Sequence, residues 1–450
     1  MSDVIVIGGG FAGVAAACRL AGDGHRPLLL ERAPRLGGRA ASTRLDDLDE
    51  TIDTGHHVSM RCCTATTGFL ARIRASSLLR FQPTLSIPIA SPDGRAVLRS
   101  SPLPGILHLA PSLLRYTVLP MPDRWRALRA GVAIALGGAR TDMPFARWLR
   151  GYGQSDRAID RLWDPICIAT LNAHAADVAA PAARKVFRDG FLPPGGADMG
   201  LFTAPLARVF DFARGYVEER DGAVRVGAGA ERLLVRDGRI RAVELATGET
   251  IDGEAVVCAV PPWDLSGLSS ETPTLDPTIA AAERLRWAPI VDVHAWFDRP
   301  VLETEFAVAV DSPVQAVFDV SRIHNTSNRL GGTHLVVSQS AADEWIDRPI
   351  PEVSDTLIGA LGDLWPSVRK ASCLRTLVVR HRRATFVPAP GVDGHRPRPF
   401  TPIRGLFLAG DWTATGWPST IEGAIRSGIA AAAYAEEWLA GNESDVGTQA

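Results

Sequence analysis

Two histidines beside a glycine turn are the side chains of this chain best suited to proton transfer. His56 and His57 follow Gly55 in the run Ile-Asp-Thr-Gly-His-His, which begins at residue 52 and includes Asp53. Histidine titrates near neutral pH, so either ring can donate or accept a proton. In the alternative interpretation both rings only pack or bind solvent, and the sequence alone leaves the two interpretations equally open.

Three glycines at the start of the chain have the spacing of a phosphate-binding turn. Gly8, Gly10 and Gly13 form the pattern G-x-G-x-x-G. The first glycine permits a tight turn, the second lets a pyrophosphate approach the backbone, and the third lets a helix pack closely on a sheet. Because the pattern alone is weak, the elements around it decide its meaning.

The elements around these glycines are the ones that such a turn requires. Residues 4–7 are a β-branched run typical of a buried parallel strand, residues 14–21 form an Ala-rich helix, and residues 27–30 begin a second apolar strand. Glu31 ends that strand, at the distance where an acid accepts hydrogen bonds from a ribose hydroxyl. The whole pattern predicts dinucleotide binding, and the acid disfavours the 2′-phosphate of NADP at this site.

A second glycine pair follows the acid. Gly37 and Gly38 permit close backbone approach, and Arg39 can neutralise a pyrophosphate or hold the edge of a flavin. A surface turn with a solvated arginine is the alternative. The position directly after a ribose-binding acid favours the functional interpretation.

The end of the chain returns to the nucleotide. Residues 406–411 form an apolar strand that ends in Gly410 and Asp411, and a helix starts near Ser419 and runs to Trp438. A strand-end aspartate can bind ribityl or ribose hydroxyls, and the N-terminus of the next helix can stabilise negative charge on a reduced flavin ring. The chain is therefore expected to begin and end in one nucleotide-binding domain.

Length and composition set the frame for these motifs. A chain of 450 residues is too long for one ordinary core, so two or three domains are expected. The 48 Lys and Arg residues nearly balance the 50 Asp and Glu residues, which argues against a nucleic-acid partner held by overall positive charge. The six cysteines show no C-x-x-C spacing, and adjacent Cys62 and Cys63 suit neither zinc nor an ordinary disulfide. We expect a reducing cytoplasmic compartment, no metal, no signal peptide and no transmembrane helix.

The predicted architecture is an α/β, Rossmann-type domain with inserted parts, α+β overall. Mostly helical sequence precedes a run of short strands from Ala223 to Val260, and a mixed α+β lobe follows. The predicted boundaries are 1–75, 211–265 and 401–440 for the nucleotide-binding domain, 76–210 for a helical part, 266–400 for a substrate-domain sheet and 441–450 for a flexible tail.

One stretch is unusually apolar for a surface. Residues 101–122 repeat leucines and isoleucine at helical spacing, while Pro104, Pro111 and Pro120 interrupt the run and Arg115 and Arg124 interrupt or flank it. Such a stretch cannot span a bilayer as one straight helix, but it can lie in the membrane interface with its apolar face down. A buried core segment is the equally weighted alternative. A further apolar helix is predicted from Trp125 to Gly138.

These motifs, in this order along nearly the whole chain, resemble the FAD-dependent amine oxidase and phytoene desaturase superfamily. Finer features resemble the squalene-associated flavoproteins of bacterial hopanoid synthesis, the hydroxysqualene dehydroxylases. They are Gly55-x-His57, the run Cys63-Thr64-Ala65-Thr66, the run Leu162-Trp163-Asp164-Pro165, Ala169-x-Leu171-Asn172 and the long motif from Gly410 to Ala424. His56 departs from this family, which tends to carry glutamine there, and so does the basic Met60-Arg61 pair.

The resemblance implies a set of site residues. Contacts to FAD are expected at Gly8, Gly10, Phe11, Ala12, Gly13, Glu31, Arg32, Gly38, Arg39, Gly55, His56, Val224, Gly410, Asp411, Thr420, Ile421 and Ala424. A substrate pocket is expected at Trp163, Trp412 and Trp417. For proton transfer, His57 is the first candidate, with Asp53 orienting it, and His56 and Asp164 are further candidates. Asp53 holding backbone amides and Asp164 capping a helix are the alternatives.

The resemblance also implies a reaction. Reduced FAD would reduce hydroxysqualene to squalene, by hydride transfer from flavin N5 to an allylic cation formed on loss of water. The expected partners are a long isoprenoid and the inner face of the cell membrane, with the protein peripheral and cytoplasmic. No second nucleotide fingerprint identifies the electron donor, and the oligomeric state is left open. An oxidative desaturase or amine oxidase is the first alternative, and a non-enzymatic flavoprotein or isoprenoid carrier is the second.

Overall fold

The structure, a computed structural model, describes residues 3–137, 142–269, 272–326 and 330–446 of the chain, with the backbone alone from 442 onward. Its strands are, in chain order, β1 (Val4–Ile7), β2 (Pro27–Glu31), β3 (Ser42–Leu45), β4 (Glu50–Asp53), β5 (Val58–Met60), β6 (Leu79–Phe81), β7 (Ser86–Ser91), β8 (Gly94–Arg99), β9 (Met199–Phe202), β10 (Ala223–Val226), β11 (Ala230–Arg236), β12 (Arg239–Leu245), β13 (Thr250–Asp252), β14 (Ala255–Cys258), β15 (Trp287–Phe297), β16 (Phe306–Ala309), β17 (Ala316–Asp319), β18 (Thr333–Ser340), β19 (Cys373–Phe386) and β20 (Leu406–Leu408).

The helices lie mostly between these strands. The α-helices are α1 (Phe11–Gly22), α2 (Thr64–Arg72), α3 (Ala110–Leu114), α4 (Met121–Ala135), α5 (Phe145–Gly151), α6 (Asp156–Ala158), α7 (Asp164–Leu171), α8 (Ala180–Lys185), α9 (Ala207–Glu218), α10 (Pro262–Leu268), α11 (Asp276–Glu283), α12 (Val320–His324), α13 (Ile350–Leu364), α14 (Pro366–Arg369) and α15 (Ile421–Val446). Two π-helical turns, Ile159–Trp163 and Val186–Phe191, extend α6 and α8. Short 3-10 turns cover Gly38–Ala40, Ser76–Leu78, Gly105–Leu109, Pro273–Leu275, Ala342–Glu344 and Val392–His395.

A five-stranded parallel sheet of order β10-β2-β1-β14-β20 forms the nucleotide-binding domain. Its central strand β1 is fully buried because helices α1, α9 and α15 pack on one face of the sheet and the antiparallel β11-β12-β13 sheet packs on the other. A strand buried on both faces has no polar side, which explains the continuous apolar runs of the sequence. The first and last elements of the chain thus meet in one sheet, and the α/β Rossmann-type prediction is confirmed.

A seven-stranded sheet of order β19-β15-β18-β17-β16-β7-β8 forms the second lobe. Helix α13 covers one face, where its apolar side packs on the inward residues of β15, β17 and β18. The strands β7 and β8 come from the region predicted to be helical, 76–210. Strand β7 pairs with β16, from the far side of the insertion, and β8 pairs with β7. The pairing of two strands from so early in the chain with this sheet could not be read from local periodicity.

The helical part lies beside the seven-stranded sheet. Helices α3 to α8 and the two π-helical turns share one apolar core with strands β7 and β8. The helix predicted from Trp125 to Gly138 is α4, which begins at Met121, and Gly138 lies outside the described residues. Among the described residues, no helix is both long and apolar enough to cross a membrane.

Candidate active site

A large cavity, with a volume of about 1130 Å³, is lined by both sheets and by the helical part. One half is lined by the glycine turns of the parallel sheet and by the loop before α15. The other half is lined mainly by apolar side chains of the seven-stranded sheet and of α7. A polar, glycine-rich half joined to an apolar half suits a dinucleotide beside a hydrocarbon.

The three glycines after β1 have the three roles that the spacing predicts. Gly8 has a positive φ of +106°, and a Cβ on Gly13 would lie 1.9 Å from the carbonyl oxygen of Gly8, so both positions require glycine. A Cβ on Gly10 would meet only Cα of Gly38, at 3.9 Å. Gly10 is therefore free of protein neighbours on the side that faces the cavity, where a pyrophosphate could lie against the N-terminus of α1.

Glu31 is buried and bound to the glycine turn. Its Oε2 accepts a hydrogen bond from the Gly9 N–H at 2.6 Å, and its Oε1 accepts one from the Ala33 N–H at 2.7 Å. A carboxylate has about four acceptor positions, so two stay available for ribose hydroxyls. The acid thus shapes the turn and also lines the cavity.

An ion pair joins the two ends of the nucleotide-binding domain. The Arg39 guanidinium donates to both carboxylate oxygens of Asp411 and to the Ala384 carbonyl, the latter at 2.8 Å, and the Ser419 hydroxyl also donates to Asp411. Arg396 supports the same loop by donating to the carbonyls of Asp411 and Trp417. The strand-end acid and the arginine therefore meet at the cavity wall, as their predicted cofactor roles require.

Glu422 has a role that the sequence did not indicate. It is 1 % exposed, and its carboxylate accepts hydrogen bonds from the N–H groups of Ala65 and Thr66, from the Thr66 hydroxyl and from Arg426. An acid on the first turn of α15 thus caps the N-terminus of α2. This contact fixes the loop that carries the cavity-lining residues Thr420 and Ile421.

The two histidines beside Gly55 are half-buried and line the cavity. The His56 ring stacks on Phe318 with a centroid separation of 4.1 Å. Burial lowers the pKa of His57 to about 4 and brings the pKa of His56 well below its usual value. Both rings are consequently neutral at neutral pH, and neither carries a proton that it readily gives up.

The structure places Asp53 away from His57. Its Oδ1 accepts hydrogen bonds from the Ser42 hydroxyl at 2.6 Å and from the Leu206 N–H at 2.8 Å, and the residue does not line the cavity. Burial raises the pKa of Asp53 to about 6. The alternative interpretation, an acid that holds backbone amides, describes this residue, and the expectation that it orients His57 is corrected.

Asp164 also forms its hydrogen bonds with residues other than His56 and His57. One of its carboxylate oxygens lies 2.7 Å from Nδ1 of His174, and the other accepts a hydrogen bond from the Ala175 N–H at 2.6 Å. It closes the loop after α7 and does not line the cavity, although the neighbouring Pro165 does. The structure therefore pairs Asp164 with His174 and does not bring it together with His56 and His57.

Three other residues that were predicted to contact FAD or substrate do not line the cavity. Val224 packs in the core of the parallel sheet, paired with Leu29, and Gly13 supports the turn from below. The Trp163 indole donates to the Gln154 side chain inside the helical core. The remaining predicted site residues line the cavity: Gly8, Gly10, Phe11, Ala12, Glu31, Arg32, Gly38, Arg39, Gly55, His56, His57, Gly410, Asp411, Trp412, Trp417, Thr420, Ile421 and Ala424.

Sequence reasoning missed one face of the seven-stranded sheet. Alternate residues of its strands line the cavity, among them Ile290 and Asp292 on β15, Ser338 and Ser340 on β18, Ala316 and Phe318 on β17, Phe306 and Val308 on β16, and Ile87 and Ile89 on β7. An acid within the apolar run Ala-Pro-Ile-Val-Asp-Val was the signal that could have marked Asp292.

The chain belongs to the flavin-containing amine oxidoreductase family, whose profile matches residues 11–435. It is similar to hydroxysqualene dehydroxylase of Sinorhizobium fredii, with 28% identity over 96% of this chain and 97% of that protein. It is also similar to the chloroplastic/chromoplastic 15-cis-phytoene desaturase of Solanum lycopersicum, with 26% identity over 95% of this chain and 76% of that protein.

Solved structures share the fold. An oxidoreductase from Methanosarcina mazei superposes with a TM-score of 0.74 at 16% identity, covering 95% of this chain and 99% of that one. A putrescine oxidase bound to putrescine gives a TM-score of 0.73 at 16% identity, covering 97% of this chain and 99% of that one. The family, together with the glycine cradle at Gly10 and the acids at Glu31 and Asp411, identifies the cofactor as FAD.

Proposed function

We propose that this flavoenzyme reduces hydroxysqualene, a long allylic isoprenoid alcohol, to squalene in squalene and hopanoid biosynthesis. The observation that carries the proposal is the apolar half of the cavity, which continues directly from the FAD-binding half. Similarity to a hydroxysqualene dehydroxylase over nearly the whole of both chains supports the same substrate class.

Bound FAD, when reduced, supplies a hydride to the substrate carbon. The chain would hold the cofactor at both ends: Glu31 and the turn at Gly10 would bind the adenosine and pyrophosphate, and Arg39 and Asp411 would bind the ribityl chain and the flavin edge. The helix dipole at the start of α15 favours negative charge near Thr420.

The apolar wall has a chemical purpose in this reaction. Loss of a protonated hydroxyl leaves an allylic cation, which water would trap as the starting alcohol. The side chains of Ile89, Phe306, Val308, Phe318 and Ile166 present no nucleophile and exclude water from that part of the cavity. A dry wall therefore lets hydride transfer compete with return of water.

An oxidative flavin desaturase is the second candidate. The similarity to 15-cis-phytoene desaturases favours it, since the same apolar cavity would accept a polyene. An amine oxidase fits the cavity less well. Lys185 and Arg426 each lie 4.6 Å from the ring centroid of Trp417, and positive charges so close to that ring repel a cationic amine.

An anaerobic single turnover separates these reactions. The enzyme is photoreduced and mixed with hydroxysqualene, while flavin absorbance and products are followed. Flavin reoxidation with stoichiometric squalene supports the proposal. Oxidised enzyme that is instead reduced by phytoene, or that releases peroxide with putrescine in air, supports the oxidative classes.

We further propose that the enzyme lies on the inner face of the cell membrane, where its substrate dissolves. The support is a set of large apolar side chains left exposed between residues 103 and 136: Leu103 at 43 %, Leu107 at 52 %, Met121 at 50 %, Trp125 at 56 %, Val132 at 41 % and Leu136 at 81 %. Tyr116, in the same segment, lines the cavity. A membrane contact here would place the hydrocarbon next to the apolar half of the site.

The structure changes which residues of this stretch can take part in the proposed membrane contact. Leu113 is partly buried against the helical core, so it is not a surface anchor. The Arg124 guanidinium donates to the carbonyls of Leu114 and Leu119 at 2.8 and 2.7 Å and closes the end of α3. Arg115 is exposed and stays a candidate for anionic headgroups.

A further inference from the structure

We infer that the carboxyl group of Asp292 is the proton donor to the departing hydroxyl of the substrate. This inference deepens the proposed reduction of an allylic alcohol and rests on it. It assigns the acid step to a residue of the second lobe, and not to His56 or His57, which the sequence favoured.

Asp292 lies in the middle of β15, on the face of the sheet that lines the cavity. Its neighbours across the sheet are Ser338 on β18 and Val379 on β19. The next positions outward on the same face are Ala316 and Val308, which are apolar. Asp292 is thus the carboxyl group in a wall whose other polar members from this lobe are neutral or histidine side chains: Gln315, Ser338, Ser340, His381 and Thr385.

The Asp292 side chain is buried, and among the described residues the Ser338 hydroxyl is near it without reaching hydrogen-bond geometry. The residue is 1 % exposed, and within the described part of the chain neither carboxyl oxygen has a partner in hydrogen-bond geometry. Gly55 leaves the space beside it: a Cβ there would lie 2.9 Å from Oδ2. A buried polar group that lacks a partner costs free energy, and a substrate hydroxyl in the cavity would supply that partner.

Other acids of the cavity wall differ in this respect. Glu31 binds the Gly9 N–H, Asp411 binds Arg39, and Asp264 binds Arg32. Asp189 binds Lys185 and Arg188, and Glu422 binds backbone amides and Arg426. A sixth acid of the wall, Glu231, is exposed. Among the described residues, Asp292 is therefore the buried acid of this wall whose two oxygens both lack a hydrogen bond.

The surroundings of Asp292 favour its neutral form. Burial raises the pKa of Asp292 to about 7, and the nearby Ser338 hydroxyl offsets this only in part. The other titratable groups around this part of the cavity are His56, His57, His294 and His381, and burial lowers the pKa of each. Arg39, whose charge acts on His381, is paired with Asp411. With a pKa of about 7, the Asp292 carboxyl holds a proton in roughly half of the molecules at neutral pH.

The step balances in atoms and electrons. The allylic C–O bond breaks, its electron pair stays on oxygen, and that oxygen takes the Asp292 proton and leaves as water. The allylic carbon takes a hydride from reduced FAD, which is thereby oxidised. The Asp292 carboxylate regains its proton from solvent before the next turnover.

Asp292→Asn tests the inference, because asparagine has nearly the same shape but no acidic proton. We expect flavin reoxidation by hydroxysqualene in the photoreduced enzyme to slow by about 10²–10⁴-fold, the usual effect of losing a general acid. FAD content and the spectrum of the oxidised flavin should stay unchanged. The wild-type rate should fall as pH rises through about 7, and the variant should lose this dependence.

The matched control is Asp319→Asn. Asp319 is also a buried acid of the same sheet with a raised pKa, but it binds Thr333 and caps α12, and it does not line the cavity. It should react like the wild type. A readout independent of turnover is the infrared carbonyl signal of a protonated carboxyl in the oxidised holoenzyme, which should disappear on titration through about pH 7 and be absent from Asp292→Asn.

The outcomes separate the inference from the function on which it rests. If the wild type forms squalene and Asp292→Asn matches its rate, Asp292 is not the donor while the proposed function stands. If the infrared signal shows an ionised carboxylate at pH 5, the inference is likewise overturned. If the wild type forms no squalene, the proposed function fails and the inference with it.

Discussion

The Gly9 N–H donates a 2.6 Å hydrogen bond to the carboxylate of Glu31, which ties the phosphate-binding turn to the end of the neighbouring strand. The acid is 8 % exposed and also holds the Ala33 N–H. The residue expected to bind ribose is therefore also part of the turn that would bind the pyrophosphate. Its replacement should affect both ends of the adenosine diphosphate.

Glu31→Ala should weaken FAD binding by about 10–100-fold, since a hydrogen bond to a charged group contributes about 1.5–3 kcal/mol. Glu31→Gln should also weaken binding. The amide NH₂ group that replaces one carboxylate oxygen would face a backbone N–H and could not accept its hydrogen bond. FAD dissociation constants from flavin fluorescence check this. The exposed Glu249→Ala serves as the control, and a rate loss at saturating FAD would contradict a purely binding role.

Alanine at Gly10 and at Gly13 should give opposite defects. Gly10 has φ −79° and open space at Cβ, so Gly10→Ala should fold normally and lack flavin, because its methyl group occupies the place of the pyrophosphate. Gly13→Ala should lose thermal stability, because its Cβ would lie 1.9 Å from a carbonyl oxygen. Flavin absorbance and circular dichroism melting of both proteins test this. A fully yellow Gly10→Ala protein would remove the turn from the cofactor site.

His57→Asn should slow flavin reoxidation by less than about tenfold, with near-normal FAD content. The reason is that burial lowers the pKa of His57 to about 4, so the ring is neutral at neutral pH and is not a strong proton donor. Stopped-flow absorbance of the photoreduced variant measures the rate. A loss of 10²–10⁴-fold would return the proton-donor role to His57.

Asp53→Asn should change how stability depends on pH. Burial raises the folded-state pKa of Asp53 from 3.8 to about 6, so the folded protein binds this proton more tightly than the unfolded chain. Stability therefore falls as pH rises from about 4 to about 6, by on the order of 3 kcal/mol for this group, and stays lower above that range. Urea unfolding of both proteins across this range should show a shallower slope in Asp53→Asn, while the part of the slope that comes from other buried acids, such as Asp292, stays in both. Parallel curves would contradict the assignment.

Leu107→Asp combined with Trp125→Asp should reduce co-sedimentation with anionic liposomes by at least about tenfold. The reason is that each exposed side chain would contribute roughly 2 kcal/mol to binding by burying its apolar surface in the membrane. FAD content should persist. Leu374→Asp is the control, since Leu374 is equally exposed, at 49 %, but lies on β19 away from this segment. Unchanged liposome binding by the double variant would place the membrane contact elsewhere or exclude it.

Local sequence was sufficient for the nucleotide-binding half. The turn at Gly8, Gly10 and Gly13, the helix after it and the acid at Glu31 lie within one β-α-β unit, so spacing alone determines their geometry. The strand-end Asp411 was predictable for the same reason, because a parallel strand places its last residues at one edge of the sheet. The apolar runs of β1, β2, β14 and β20 also indicated strands buried on both faces.

Only the tertiary structure decided which acids and histidines can take part in proton transfer. Arg39 and Asp411 are 372 residues apart and meet only after the sheet is assembled. Asp53 and Asp292 are both acids in strands, yet the first binds Ser42 and Leu206, while among the described residues the second faces the cavity without a hydrogen bond. Burial and hydrogen bonding set the pKa of a carboxyl group, and both depend on residues brought from distant parts of the chain. The local sequence therefore determined the nucleotide-binding fold and the cofactor, and the packing of the second sheet determined the acid that we assign to the reaction.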